Sequence, residues 1–193
     1  AQDIRTAAHS MGVSVTDCGA VPTPALAMAA MEAGAGAIMI TGSHIPADRN
    51  GLKFYTPRGE ITKSDETAIT AALGKVPVSD ELETVSLRKD ATVGARFVAR
   101  YVSACGPSAL AGRKIGLYSH SAVGRDLLAE ILQALGADVT EFGHSETFIP
   151  VDTEAVDPET RAQIADWVTA QGLDALVSTD GDSDRPLLAD ETG

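Results

Sequence analysis

Basic side chains are scarce in this sequence: 15 Lys and Arg face 27 Asp and Glu, a formal charge of −12 over 193 residues. That balance argues against nucleic acid as a partner, because phosphate backbones are held chiefly by Lys and Arg. It does not exclude a small anionic substrate, since a few local cations or a bound metal reverse the field inside a cleft. Cysteine is nearly missing as well. Cys18 and Cys105 lie far apart in no metal-ligand or redox spacing, which fits a reducing, cytoplasmic setting. No apolar run nears the roughly 20 residues that a membrane span needs, and the opening residues carry no signal-peptide pattern.

What is present is an ordinary globular balance, 44% hydrophobic and 22% charged, with length for one or two domains. Helix and strand patterns alternate along it. Residues 1–11 read as a helix closed by Gly12, and Val13–Thr16 as a strand. Pro22-Thr23-Pro24 opens a helix, with Thr23 as its N-cap. Ala37–Ile40 and Leu52–Tyr55 read as strands, and Ser64-Asp65-Glu66 caps a helix to about Leu73. A polar connector covers Val76–Asp90. After it come a helix to Cys105, a strand Lys114–Tyr118, an amphipathic helix Val123–Leu135 and a strand Val139–Phe142. Asp157-Pro158-Glu159 then opens a helix to Gln171, ahead of an apolar strand at Ala175–Val177.

This alternation predicts α/β architecture: two duplicated three-layer α/β/α domains with mostly parallel mixed sheets. The duplication rests on an echo, Gly12-x-x-Val15-Thr16-x-x-Gly19 against Gly136-x-x-Val139-Thr140-x-x-Gly143. After each copy, a helix and a strand lead to one of two unusual loops. Residues 1–90 are expected to be the later part of one domain, and 91–193 a second domain with the start of a further segment at its C-terminus. Ala1 falls directly into a helical pattern and Asp190–Gly193 resembles a hairpin tip without its return strand, so the chain reads as part of a longer polypeptide.

The first unusual loop is Thr41-Gly42-Ser43-His44-Ile45-Pro46, a serine presented just past a strand. It is not the Gly-x-Ser-x-Gly elbow of hydrolases. Downstream, Asn50-Gly51 makes a tight reversal that turns Arg49 and Lys53 back toward Ser43. Two cations beside one hydroxyl suit a phosphorylated serine, which carries about −1.5 to −2 charges at neutral pH. The second loop is Asp180-Gly181-Asp182-Ser183-Asp184-Arg185. Three carboxylates at alternate positions suit a hard divalent cation, with Mg2+ foremost. Other readings stay open here. The loop could be a solvated turn, or Asp180 could be a phosphate-accepting nucleophile with Asp182 as acid/base. An EF-hand reading founders on Arg185, which stands where the sharp turn requires Gly. His120, at another strand end, reads as structural.

Taken in order, these two motifs with Asn50-Gly51-Leu52-Lys53 between them resemble the α-D-phosphohexomutases, over nearly the whole chain. That family carries a phosphoserine in a Thr-Ala-Ser-His-Asn-Pro loop and Mg2+ in an Asp-Gly-Asp-x-Asp-Arg loop. Gly42 and Ile45 depart from the pattern, and Ile45 points toward a phosphomannomutase-like branch. The resemblance implies a phosphotransferase interconverting hexose 6-phosphate and hexose 1-phosphate, mannose phosphates foremost, through a hexose 1,6-bisphosphate. Phosphoglucomutase, phosphoglucosamine mutase and a non-catalytic Mg2+- or phosphosugar-binding fragment are the alternatives. It also implies Ser43 as phosphoryl carrier, and Asp180, Asp182, Asp184 and Ser43 as the Mg2+ shell. Lys53, then His44, would be the acid/base group, its lysine pKa lowered by a cationic site. Arg185, Arg49 and Asn50 would lie on the phosphate side. The family's sugar-reading and phosphate-gripping domains lie beyond this sequence, so the piece alone is expected to turn over little.

Overall fold

The computed structural model describes residues 2–43, 49–75 and 88–193. Helix α1 (Gln2–Ser10) ends at Gly12, where a φ of +72° turns the chain without a side-chain clash. Strand β1 is only Thr16–Asp17, shorter than the Val13–Thr16 expected, because pairing is limited to Thr16 with Arg88 and Asp17 with Lys89. Helix α2 (Thr23–Glu32) leads into β2 (Ala37–Thr41), which pairs antiparallel with β3 (Gly51–Thr56) and through it with β4 (Gly59–Glu60).

Helix α3 (Lys63–Ala72) opens on a capping box made by Thr62 and Asp65, slightly earlier than the Ser64 cap expected. Most of the predicted connector, residues 76–87, lies outside the described residues. Its end is not loop: Arg88–Lys89 form β5, parallel to β1.

The second half follows the predicted alternation closely. It runs α4 (Val93–Cys105), β6 (Lys114–Tyr118), α5 (Arg125–Ala134), β7 (Asp138–Phe142), α6 (Pro158–Gln171), β8 (Ala175–Thr179) and β9 (Pro186–Ala189). Its sheet has the order β7-β6-β8-β9, with β6 parallel to both neighbours and β9 antiparallel to β8. Local chemistry fixes α6 at both ends. The Asp157 carboxylate accepts from the Glu159 and Thr160 N–H groups, and Gly172 closes the helix in the left-handed conformation.

Two apolar clusters hold these elements. Under α6, Ile164 and Val168 pack with Tyr118, Val151, Leu173 and the wholly buried Leu176 of β8. Between the halves, Val21 just ahead of α2 and Ala25 within it pack against Val93, Phe97 and Val98 of α4, Ile131 of α5 and Leu135 just past its end. α2 is therefore wedged into the second half, and its N-terminus is carried to the loop after β8.

The sequence echo has a geometric counterpart. Gly12, Gly19, Gly136 and Gly143 all have positive φ, from +61° to +94°, bracketing β1 and β7 in the same way. The next strand in each half is β2, which delivers Ser43, or β8, which delivers Asp180. Among the described residues, no helix is long and apolar enough to cross a membrane.

Candidate phosphoryl-transfer and metal site

β2 and β8 end at the same place. Ser43, two residues past β2, has a φ of +46°, a left-handed conformation that costs a non-glycine residue energy. Its N–H donates to Thr41 Oγ1 at 2.7 Å, which holds the bend. Its hydroxyl donates to Asp180 Oδ2 at 2.6 Å, across 137 positions of sequence.

The residues 180–185 form the turn of the β8–β9 hairpin, so a strand leads into them. No helix precedes, which removes the EF-hand reading. Asp180 is wholly buried. Its N–H donates to the Arg185 carbonyl at 3.0 Å, and its Oδ1 accepts from the Asp184 and Arg185 N–H groups at 3.1 and 3.2 Å. Ser183 takes a φ of +60° within the turn, and its Oγ accepts from the Gly124 N–H at 3.0 Å.

Gly181 permits the approach of the two strand ends. A β-carbon there would overlap the Ser43 carbonyl oxygen and lie 3.2 Å from the Phe148 ring. Gly181→Ala therefore pushes Ser43 away from Asp180. A displacement near 1 Å costs about 100-fold in kcat where reacting groups must be aligned, and steady-state kinetics on the full-length protein would read it.

Lys53 reaches the loop from β3. Its ammonium lies 2.8 Å from Asp182 Oδ2 and 2.6 Å from Asp184 Oδ2. The expected lowering of its pKa is not what this position produces. Burial, the largest single influence, presses it down, but the hydrogen bonds and charges of Asp182 and Asp184 together raise it. The other two carboxyls diverge. In Asp180 burial prevails, with the neighbouring Asp182 charge adding to it, and the pKa rises despite the Ser43 bond. In Asp182 the same burial is overcome by hydrogen bonds from Lys53 and Thr23, and the pKa falls.

The trio suits a cation on three counts. One oxygen from each of Asp180, Asp182 and Asp184 lies within 4.8 Å of the others. Asp182 Oδ1 is buried with no hydrogen-bond partner. Three carboxylates against one Lys53 ammonium leave two negative charges, which a divalent ion with a preference for oxygen would balance.

The other sequence candidates lie around this centre. The Arg185 guanidinium pairs with Glu154 Oε2 at 3.7 Å, and only its backbone joins the Asp180 network. Arg49 and Asn50 are exposed just ahead of β3, beside the Thr41–Gly51 pair that ends β2. His44 lies outside the described residues. His120 is fully buried, with Nε2 2.8 Å from the Thr179 carbonyl, and burial lowers its pKa. It supports the end of β8 rather than facing a cleft.

Sequence reasoning missed Thr23, Val123 and Gly124. The Val123 N–H donates to the Gly181 carbonyl at 2.9 Å, and Thr23 bonds Asp182 twice. Thr23 does not cap α2. The N-cap is Pro22, whose side chain has no group to make a cap bond, and the threonine hydroxyl one residue on points to Asp182. No local pattern discloses a contact spanning 159 positions.

Comparison with known proteins shows the family to which the two halves are similar. Residues 1–77 match the model for phosphoglucomutase/phosphomannomutase alpha/beta/alpha domain I, and residues 95–193 that for alpha/beta/alpha domain II. A phosphomannomutase of Sinorhizobium fredii is 49% identical over 94% of the chain and 39% of its own length. A phosphomannomutase of Salmonella muenchen is 44% identical over 100% of the chain and 40% of its own length. The crystal structure of a phosphoglucomutase/phosphomannomutase family protein from Burkholderia thailandensis superposes with a TM-score of 0.73 at 25% identity, covering 94% of the chain and 41% of that structure. The chain thus spans about two fifths of the length of these relatives.

Proposed function

Because the chain belongs to the phosphoglucomutase/phosphomannomutase family, we propose that the whole protein interconverts hexose 6-phosphate and hexose 1-phosphate, with mannose phosphates preferred. The observation that carries this reading is the 2.6 Å bond from the Ser43 hydroxyl to Asp180. It holds an alcohol oxygen against an acidic trio suited to a divalent cation. The preference for mannose is supported by the 44–49% identity to two proteins named phosphomannomutase. We take residues 1–90 as the later part of one domain and 91–193 as the next. A reducing, cytoplasmic setting suits the free thiols of Cys18 and Cys105.

In this mechanism Ser43 carries the phosphoryl group. Its Oγ–P bond breaks as a hydroxyl of the hexose monophosphate forms the new P–O bond; the proton lost by that hydroxyl is balanced by the one gained by the departing Ser43 Oγ, which becomes the free alcohol. The resulting 1,6-bisphosphate turns round, and its other phosphoryl group passes to Ser43 Oγ, releasing the isomeric monophosphate. Asp180, Asp182 and Asp184, with a Ser43 oxygen, would hold Mg2+, which neutralises charge on the transferring group. Lys53, protonated between Asp182 and Asp184, brings positive charge and a proton to the edge of the trio; His44 is the second candidate for proton transfer. Arg185, Arg49 and Asn50 are assigned to the phosphate side. A phosphatase acting through Asp180 is disfavoured, because it leaves the Ser43 hydroxyl, held 2.6 Å from that carboxylate, without a role.

Two measurements test this. After incubation of the full-length protein with a hexose 1,6-bisphosphate, peptide mass analysis should place one phosphate on Ser43; phosphate on another residue refutes the carrier. Mannose, glucose and glucosamine 1-phosphates assayed side by side should give the highest kcat/KM for mannose. A clear preference for either other sugar would reassign the substrate.

A further inference from the structure

We infer that Thr23 is a positioning residue for the metal, a role that rests on the reading of Asp180, Asp182 and Asp184 as its ligands. One residue holds the central aspartate at two points. The Thr23 N–H donates to the Asp182 carbonyl at 2.9 Å, and the Thr23 hydroxyl donates to Asp182 Oδ2 at 2.6 Å. Both residues are 2% exposed, so neither bond competes with bulk water. Together they fix the backbone of Asp182 and the rotation of its carboxylate. With Oδ2 spent on Thr23 and Lys53, the partnerless Oδ1 is the oxygen left for a cation.

The cost of this arrangement is visible locally. A threonine hydroxyl at an N-cap satisfies the helix's own N–H groups. α2 forgoes that side-chain cap, and Pro24 in its first turn has no N–H to satisfy. Thr23 is also the first residue of the helix wedged against α4 and α5, so the packing of Ala25 and Val21 sets where its hydroxyl stands. Groups that orient metal ligands in this way change affinity by about 10- to 100-fold when removed.

The test uses the full-length protein, stripped with EDTA and titrated with Mn2+ by calorimetry or electron paramagnetic resonance. Thr23→Val keeps the shape and the backbone N–H and deletes only the hydroxyl; its Mn2+ affinity should fall about 10- to 100-fold. Thr23→Ser restores the hydroxyl and should bind within about threefold of the unmodified protein. The melting temperature of the Thr23→Val protein in EDTA should lie within about 3 °C of the unmodified one. Unchanged Mn2+ affinity in Thr23→Val overturns the inference while leaving the metal site intact. Equal losses in the Ser and Val variants, or a loss of affinity that tracks a lower melting temperature in EDTA, overturn it in favour of packing. Failure of the unmodified protein to bind Mn2+ removes the metal reading itself, and this inference with it.

Discussion

Ser43→Ala is expected to lower mutase turnover of the full-length protein by about 10⁴-fold or more, the scale on which removal of a covalent nucleophile acts. The substitution is small. It removes one oxygen and leaves the backbone, already bent at φ +46°, with a side chain no larger than before. The loss therefore lies in kcat rather than in folding. Mn2+ affinity should fall far less, because Asp180, Asp182 and Asp184 supply the main ligand set. Turnover and metal affinity thus separate in this variant. Retained turnover would reassign the phosphoryl carrier, whatever the metal does.

The second large effect belongs to Asp180→Asn, and its two readouts move in opposite directions. The amide keeps the shape and can still accept from the Asp184 and Arg185 N–H groups. It removes a charge from the ligand set, so affinity for Mn2+ or Mg2+ should fall by more than about 100-fold and activity with it. Stability in EDTA should rise instead. Burial and the Asp182 charge raise the Asp180 pKa above its ordinary carboxylate value. Over the range from that ordinary value up to the raised one, the native state binds more protons than the unfolded state. The stability tied to the protonated Asp180 is thus lost as pH rises through this range. Asparagine abolishes that loss. A melting temperature in EDTA above that of the unmodified protein at pH 7, and closer to it at acidic pH, is the predicted pattern. A lower melting temperature at pH 7 would contradict the electrostatic account of the trio.

Both variants disturb a site whose parts differ in how far sequence reveals them. The Asp180–Asp184 run is legible because its chemistry is local: alternate acids with a glycine between them suit few purposes. α6 is equally plain, since Asp157 and Gly172 mark its ends with side-chain and backbone chemistry that acts over three or four residues. β1 and β5 are harder to see. Two-residue strands leave no periodicity, and only their mutual pairing defines them. Thr23 reads as a cap because threonine before a helix satisfies that local rule, whereas its actual partner lies in the other half of the chain. The same limit reverses the expectation for Lys53. A cationic surrounding is expected for it, but in space its ammonium rests between two carboxylates, and these outweigh burial. Gly181 is visible as a loop glycine; that it admits the Ser43 carbonyl depends on how two distant strands converge.

The central claim is that Ser43 and the three aspartates share one divalent ion. A crystal structure of the full-length protein grown with Mn2+, with anomalous data collected at the manganese edge, tests it most directly. The account predicts one anomalous peak about 2.0–2.2 Å from an oxygen of each of Asp180, Asp182 and Asp184, with the Ser43 oxygen or its phosphate completing the shell. A peak lying elsewhere, or one bound by the aspartates with Ser43 turned out of reach, would contradict it.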